Sequence, residues 1–320
     1  MTNPQSWTFL GTTPPPFGGV TVFTKRKVAQ LRKQGMPVTL VDISKLGMGQ
    51  KIRHALGLVF KRRSHGIYLN NLSGYYIAAS LCNIGGAQFF YHDHNYDLSH
   101  MTGLRGTLFK ALLKRAQMVY FDGEHSRKNY IDAGLLGAGK PFEIAPPFIE
   151  PDTSEKQNIL ESYGNNLHQF INSHTPVISA NAFKVIQTAE GVDLYGLDMT
   201  ITLLKTLRQK APNAGIVFAV AVAEDTLYLN ELKARLEADG LTDHFYFFTG
   251  TRELWPLFGE TDLMVRPTST DGYGISIAEA LFTGTPAVAS DVCTRPKGTV
   301  LFKARNQRDF EEKVFETLKL

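Results

Sequence analysis

Short hydrophobic runs alternate with longer stretches of helical spacing along the whole chain. Buried strands of an α/β protein show such runs, because parallel strands are covered on both faces of the sheet. A helix is predicted between the first two runs, from about Val20 to Gln34, after a glycine-containing loop. We predict the strands of the first half at 7–11, 37–43, 66–70, 87–92 and 117–123.

The same alternation starts again after a proline-rich stretch at 141–152. The pattern therefore predicts an α/β protein of two Rossmann-like domains, residues 1–148 and 149–320, each with a mainly parallel sheet. In such sheets ligands gather at the carboxyl ends of the strands, and two facing domains form a central cleft. The predicted strands of the second half are 176–181, 215–222, 245–250, 263–267, 286–291 and 299–302, with helices near 198–210, 226–239 and 307–319.

Composition is that of a soluble globular protein, with 43% hydrophobic and 20% charged residues among 320. The first sixteen residues lack the basic start and the apolar core of a signal peptide, and the longest apolar run, 216–223, is too short to span a membrane. Cys82 and Cys293 are far apart and show no metal-type spacing. We therefore expect a cytoplasmic protein.

Charge is divided unevenly between the two halves. Residues 1–150 hold 18 Lys and Arg against 8 Asp and Glu, a net charge of +10, whereas residues 151–320 hold 16 against 22, a net charge of −6. Basic clusters favour an anionic partner, either phosphate groups or an anionic membrane surface, and a solvated helix face is the alternative for each cluster. Nucleic acid is not expected, because the clusters lack interleaved aromatic residues and no binding motif accompanies them.

A glycine-broken loop with two nearby carboxylates precedes the predicted helix around residue 279. Gly272 and Gly274 permit close approach of a ligand to the backbone, and the N–H groups at the start of the helix can hold a phosphate. Asp271 lies where sugar hydroxyls would arrive, and Glu279 can accept two hydroxyl donors. The alternative is a flexible turn followed by an acid that complements the helix dipole.

This stretch, DGYGISIAEALFTGTPAVASD (271–291), resembles the signature of the retaining glycosyltransferases of GT-B family 4. An acid is followed by Gly-aromatic-Gly and, eight residues after the acid, by a glutamate; Asp271 stands where the family usually has Glu. The resemblance implies a GT-B fold and a nucleotide-sugar donor, with the acceptor on the domain 1–148 and the donor on the domain 149–320. It also implies that the backbone of Tyr273 and Gly274 faces the donor sugar, that Ile275 and Ser276 hold the diphosphate, and that Glu279 holds the ribose.

Two segments of the first half are similar to the same family. Residues 14–42 resemble its N-terminal segment, which implies that Gly18 and Gly19 lie against the diphosphate. The family commonly has a histidine near the reacting carbon of the donor, and FFYHDHNYDL (89–98) offers His94 as first choice and His92 as second. The two histidines could instead belong to a metal site or to a surface loop.

Another stretch of the first half, 118–135, resembles the family's strand-Ser-helix segment, in which Ser126 would cap a helix. The second half departs from the family pattern. The family usually has an Arg and a Lys that neutralise the leaving diphosphate, and here Asn181 and Tyr195 stand near those positions. Lys184 and Arg266 are the nearest cationic candidates to replace them as nucleotide-sugar-binding residues. More distant candidates are Arg295 and Lys303.

These features together predict a retaining glycosyltransferase that moves a hexosyl group from a UDP- or GDP-linked donor to a glycan or lipid-linked glycan acceptor in cell-surface polysaccharide assembly. The basic first half would make peripheral contact with an anionic membrane. No cofactor and no metal are expected, since no two aspartates stand two positions apart as in metal-using GT-A enzymes. The alternatives are a catalytically weak partner subunit that binds nucleotide-sugar and a different GT-B enzyme such as an epimerase. An NAD-dependent enzyme is weaker, because no Gly-x-Gly-x-x-Gly follows a strand.

Overall fold

The chain divides into two units. The first consists of the described residues through Pro14 together with Val20–Ile149, and the second of Pro15–Gly19 together with Glu150–Leu320. The sequence placed the boundary at 148/149; which unit serves the acceptor and which the donor stays a prediction. A computed structural model describes residues 4–70, 74–94, 98, 101–137, 139–222, 224, 226–250 and 252–320, so residues 95–97 of the predicted histidine segment lie outside the described residues.

A six-stranded sheet with every described pair parallel forms the centre of the first unit, in the order β2-β1-β3-β4-β5-β6. Its strands are β1 (Ser6–Gly11), β2 (Val38–Asp42), β3 (His65–Leu69), β4 (Gln88–Asp93), β5 (Met118–Phe121) and β6 (Phe142–Ile144). The helices between them are α1 (Gly19–Lys33), α2 (Met48–Val59), α3 (Gly74–Leu81), α4 (Gly103–Arg115) and α5 (Glu124–Asp132).

The second unit repeats the architecture, with a parallel sheet in the order β12-β11-β10-β7-β8-β9. Its strands are β7 (Val177–Lys184), β8 (Gly215–Val222), β9 (Phe245–Thr249), β10 (Leu263–Arg266), β11 (Ala287–Ser290) and β12 (Val300–Phe302). Its helices are α6 (Lys156–Glu161), α7 (Asn165–Ser173), α8 (Leu197–Lys210), α9 (Leu227–Ala238), α10 (Trp255–Phe258), α11 (Ile275–Phe282) and α12 (Gln307–Leu318), with 3-10 turns at Thr153–Glu155 and Thr242–His244.

Strand order reverses between β7 and β10, which pair through Leu263 with Ile178 and Met264 with Ser179. The crossover helices leave the sheet on opposite sides at such a switch point, so a crevice opens beyond the carboxyl ends of the two strands. Arg266 is the last residue of β10, and Asn181 lies in β7 three residues before that strand ends at Lys184. The topology therefore brings the two residues together although 85 positions separate them.

Both faces of each sheet are covered, which explains the continuous hydrophobic runs of the strands. In β8, Ile216 and Phe218 belong to one core with Leu204 of α8, while Val217 belongs to the opposite core with Leu257 of α10. Successive side chains of a strand point to opposite faces, so only a strand buried on both sides is apolar at consecutive positions.

The predicted strands agree with the structure to within a few residues. The proline-rich stretch at 141–152, which the sequence predicted as a strand running into a linker, contains β6. The helices α6 and α7 that follow this stretch were not predicted, nor was the short helix α10. Ser126 was predicted to cap a helix, and this is wrong: the N-cap of α5 is Gly123, and Ser126 lies inside the helix. Within the part of the chain that the structure describes, no helix is long and apolar enough to cross a membrane.

Candidate functional site

Three charged side chains converge at the switch point of the second unit. Asp271 Oδ2 accepts hydrogen bonds from Arg266 Nε at 2.5 Å and from Arg295 Nη1 at 2.6 Å. The other carboxylate oxygen, Oδ1, accepts the backbone N–H of Gly272 at 3.0 Å. The three side chains are only 13%, 11% and 1% exposed in the order Asp271, Arg266, Arg295. We call them the arginine-aspartate cluster.

The electrostatics of this cluster favour an ionised carboxylate. Burial raises the pKa of Asp271, but the adjacent charges and hydrogen bonds of Arg266 and Arg295 outweigh that effect and hold the pKa well below its usual range. Arg295 is further fixed by acceptors on Ser290 and Thr268 at 2.9–3.1 Å. Two cations and one anion leave the cluster with one net positive charge.

Arg266 also contacts the two positions at which the sequence lacks the expected cations. Its Nη1 donates to Asn181 Oδ1 at 3.2 Å and to Ser276 Oγ at 3.3 Å. Its guanidinium carbon lies 5.8 Å from the centre of the Tyr195 ring. A guanidinium thus stands between Asn181 and Tyr195, although neither of those residues is basic. Lys184, the other predicted cation, instead pairs with Glu224 at 2.6 Å.

The loop ahead of α11 needs a residue without a side chain at Gly274. This residue has φ +91°, and a Cβ there would lie 2.7 Å from Ile277 Cδ1 and 2.9 Å from Arg295 Nη1. Gly274 is also the N-cap of α11, so Ile275 and Ser276 form the first turn, whose N–H groups have no partner within the helix. Glu279 lies one turn further on and is buried.

Gly18 and Gly19 belong to the short segment that clusters with the second unit. A Cβ at Gly18 would lie 3.3 Å from the ring of Phe183, and one at Gly19 would lie 3.2 Å from Cδ1 of Ile275. The two glycines therefore come close to the end of β7 and the start of α11. Their predicted contact with a diphosphate stays a prediction.

The first unit has its own buried polar cluster at the ends of β4 and β5. His92 Nδ1 lies 2.7 Å from Tyr68 Oη, and its Nε2 lies 3.2 Å from Asp122 Oδ1 and 3.1 Å from the carbonyl of Ala145. His94 stacks on His92, with ring centroids 4.5 Å apart, and its Nδ1 lies 3.3 Å from the same Asp122 oxygen. We call His92, His94 and Asp122 the histidine-aspartate cluster.

Hydrogen bonding assigns the tautomers of this cluster. Because two acceptors face His92 Nε2, that atom carries the proton, and His92 Nδ1 accepts from the hydroxyl of Tyr68. Burial, aided by the neighbouring His94, lowers the pKa of His92 to about 4, so its ring is neutral. His94 donates through Nδ1 to Asp122, and its Nε2 is buried with no hydrogen-bond partner among the residues the structure describes.

The histidine-aspartate cluster could also ligate a metal, an alternative that the sequence left open. One ligand atom from each of its three residues lies within 4.8 Å of the others. For a metal to bind, His92 Nε2 and His94 Nδ1 would have to give up their protons and their present hydrogen bonds. The observed arrangement is one in which the aspartate orients two histidines.

Of the residues that organise these clusters, the sequence did not identify Asp122 and ranked Arg295 low. Asp122 directly follows the buried strand β5, and a carboxylate in that position of a parallel sheet is a signal that could have identified it. Arg295 was considered only as a distant replacement, because it lies 24 residues from Asp271 and the loop that carries it has no recognisable motif.

Comparisons with known proteins agree with this picture. Residues 185–319 match the family model of the group 1 glycosyl transferases. The chain is 24% identical over 152 residues to the lipopolysaccharide glucosyltransferase WaaG of Escherichia coli K12, a region covering 48% of this chain and 38% of WaaG. It is 32% identical over 111 residues to the lipopolysaccharide core biosynthesis mannosyltransferase LpsB of Rhizobium meliloti, covering 34% and 30%. The matched regions thus span about a third of these relatives' own lengths.

Solved structures extend the likeness over nearly the whole chain. HepE of Anabaena, in complex with UDP and glucose, has a TM-score of 0.67 at 16% identity and covers 98% of this chain and 90% of its own. An α,α-trehalose-phosphate synthase from Burkholderia vietnamiensis has a TM-score of 0.62 at 10% identity, covering 99% and 92%. The two parallel sheets and these neighbours define a GT-B fold. The family match and the two relatives each cover less than half of this chain, and the solved structures show its fold.

Proposed function

We propose that this protein is a retaining, metal-independent glycosyltransferase that moves a hexosyl group from a UDP- or GDP-linked sugar to a glycan acceptor of cell-surface polysaccharide. The arginine-aspartate cluster ahead of α11 is the observation that carries the proposal. UDP and glucose in the HepE complex favour a uridine donor. The names of WaaG and LpsB favour a lipopolysaccharide-type acceptor.

Glycosyl transfer breaks the bond between the anomeric carbon and a phosphate oxygen. Positive charge then grows on the sugar and negative charge on the leaving nucleotide. Fixed donors aimed at the growing negative charge accelerate this step more than ground-state contacts do. Arg266, Arg295 and the first N–H groups of α11 would supply such donors, because their hydrogen bonds already fix the guanidiniums before a ligand arrives.

Asp271 takes a different role in this mechanism from the one its sequence position suggested. Both carboxylate oxygens accept hydrogen bonds within the protein, two from guanidiniums and one from Gly272. Asp271 therefore positions Arg266 and Arg295, while Glu279 is the residue proposed to accept hydroxyl donors of the ribose. Tyr273 and Gly274 would present backbone to the sugar, as the loop conformation allows.

His94 would face the donor sugar through Nε2, the atom that its bond to Asp122 leaves available. The imidazole can orient a sugar hydroxyl or stabilise charge there. In the retaining reaction the acceptor hydroxyl attacks the anomeric carbon from the same face of the sugar from which the leaving group departs. The leaving phosphate takes the proton of that hydroxyl. No nucleophile from the protein is needed.

The acceptor would be a lipid-linked glycan at the inner face of the cell membrane. The charge division supports this placement: residues 1–150 carry a net charge of +10, and residues 151–320 a net charge of −6. Cationic side chains near a membrane that contains anionic lipids are attracted to its surface.

A second candidate function is a catalytically weak subunit that binds nucleotide-sugar without transferring it. Asn181 and Tyr195 favour it, because the sequence has no cation at either position. The two candidates differ in turnover: the weak subunit binds a donor, whereas the enzyme also consumes it.

Thermal shift with a panel of UDP-, GDP-, ADP- and dTDP-linked sugars tests the donor site. A ligand that binds only the folded state raises the free energy of unfolding by mass action, by about 2.7 kcal/mol when its concentration is a hundred times Kd. The melting temperature rises accordingly. We expect one selective stabiliser whose effect is lost in Glu279→Gln and kept in Glu237→Ala, an exposed helical control. EDTA should leave the shift unchanged. Failure of every nucleotide to shift the wild type would overturn the donor site, and a shift without turnover would favour the weak subunit.

A further inference from the structure

Four hydrophobic side chains form an exposed stripe along α2 and its C-cap. Met48, Ile52, Leu56 and Phe60 are 58%, 45%, 59% and 68% exposed. They recur every four residues, so they lie on one side of the helix. The core contacts of α2 come from another side, where Ala55 and Leu58 are buried. The stripe therefore contributes little to folding the first unit.

The stripe continues onto the neighbouring loop after α3. Ile84 is 77% exposed, and its N–H donates to the carbonyl of Val59 at 2.9 Å. The side-chain amide of the preceding residue, Asn83, ties the same loop to the end of α2. It donates to the carbonyls of Leu58, Val59 and Lys61 at 2.7–3.2 Å. Ile84 is thus fixed beside the end of α2. We call Met48, Ile52, Leu56, Phe60 and Ile84 the apolar patch.

Positive charge surrounds the apolar patch. The segment from residue 45 to residue 63 contains six basic residues and no acidic one. A surface cavity of about 200 Å³ next to α2 has three cationic or titratable side chains in its lining, Arg53, His54 and Lys61. Arg62 and Arg63, just beyond Phe60, are exposed. An apolar stripe flanked by Lys and Arg is the pattern of a helix that lies in a membrane interface.

We propose that the apolar patch docks on the surface of an anionic lipid bilayer. The hydrophobic side chains would enter the boundary between headgroups and acyl chains, while the flanking basic side chains would meet lipid phosphates. Charge complementarity selects this occupant. A second copy of the chain placed symmetrically on the patch would bring like charges together, because the segment contains no acid to pair with them.

The apolar patch would be the surface that makes the membrane contact of the proposed function, and only its biological meaning rests on that function. Vesicle binding measures it without turnover or nucleotide. A protein that binds vesicles and no nucleotide, or the reverse, would separate the two proposals.

Sedimentation of the full chain with vesicles tests the surface. We expect binding to mixed phosphatidylcholine–phosphatidylglycerol vesicles at low salt, and little binding to phosphatidylcholine alone or at high salt. Leu56→Glu and Phe60→Glu should each lower the partition coefficient by about tenfold or more. Each removes an apolar side chain that would be buried in the bilayer, and each adds a negative charge. Arg62→Glu should lower it by at least roughly fivefold, because one cation near an anionic surface contributes about that factor.

The matched control is Leu227→Glu, the same change at a side chain that is 79% exposed in the second unit. It should bind vesicles like the wild type, and circular dichroism of all variants should match. Failure of the wild type to bind anionic vesicles, or equal loss in Leu56→Glu and Leu227→Glu, would overturn the proposal. A wild-type dimer in solution that Leu56→Glu dissociates, with vesicle binding unchanged, would assign the patch to self-association and overturn it too.

Discussion

Asp271 offers a direct measure of how much the arginine-aspartate cluster contributes to stability. Replacing it with Asn keeps the size of the side chain and removes the anion that faces Arg266 at 2.5 Å and Arg295 at 2.6 Å. Both guanidiniums stay charged, because arginine does not lose its proton in proteins. The variant therefore leaves two cations facing each other in a site where they are 11% and 1% exposed.

Removal of one partner of a buried ion pair costs about 3–5 kcal/mol. The lower end applies here, because both guanidiniums keep neutral acceptors. Arg295 keeps Ser290 and Thr268, and Arg266 keeps Asn181 on Nη1 while Nε loses its carboxylate. We expect Asp271→Asn to lower the free energy of unfolding of the second unit by about 3 kcal/mol, which is roughly a hundredfold in the equilibrium constant.

The pH dependence of this difference follows from the depressed pKa of Asp271. A carboxylate whose folded pKa lies below its unfolded value stabilises the protein above the unfolded pKa, and this contribution is lost as the pH falls through the folded pKa. The gap between wild type and Asp271→Asn should therefore be constant near neutrality and should narrow below about pH 4.

Urea denaturation followed by tryptophan fluorescence can measure the effect in one unit. The chain has two tryptophans, and in a Trp7→Phe background the remaining Trp255, 2% exposed, reports on the second unit. The control is Asp239→Asn, which removes a surface pair with Lys205 and should cost about 1 kcal/mol or less. Equal costs for the two variants would refute the reasoning that the buried cluster is energetically coupled.

Two further predictions concern the histidine-aspartate cluster. Because burial lowers the pKa of His92 to about 4 from 6.5, stability should fall by roughly 3 kcal/mol as the pH drops from 6.5 towards 4. His92→Gln should reduce that slope in acid denaturation, and the exposed His54→Gln should keep it. Some slope remains in His92→Gln, because burial and the nearby Lys61 also lower the pKa of His65 to about 4. An unchanged slope in His92→Gln would contradict the assignment. Asp122→Asn should shift the tautomer of His94 in long-range ¹⁵N NMR and lower kcat about 10–100-fold, as expected for a lost hydrogen bond to a charged group. An unaltered His94 spectrum would show that Asp122 does not position the ring.

The sequence by itself determined the class of the fold and the location of its loops. Consecutive apolar residues in β8 are expected only for a strand buried on both faces, and they predicted the parallel sheets. Part of the requirement for glycine at 274 is local, since a left-handed backbone conformation needs no distant partner. Such features depend on neighbours within a few positions, and these neighbours are visible in the chain.

Tertiary structure decided which side chains meet. Arg295 reaches Asp271 across 24 positions and Arg266 reaches Asn181 across 85, because β7 and β10 are neighbours only in the folded sheet. The order of strands also brings Asp122 within hydrogen-bond distance of both histidines. Exposure of the α2 stripe was likewise invisible in the sequence, where Leu56 and Leu58 are the same residue type and only the packing of the helix buries one and exposes the other.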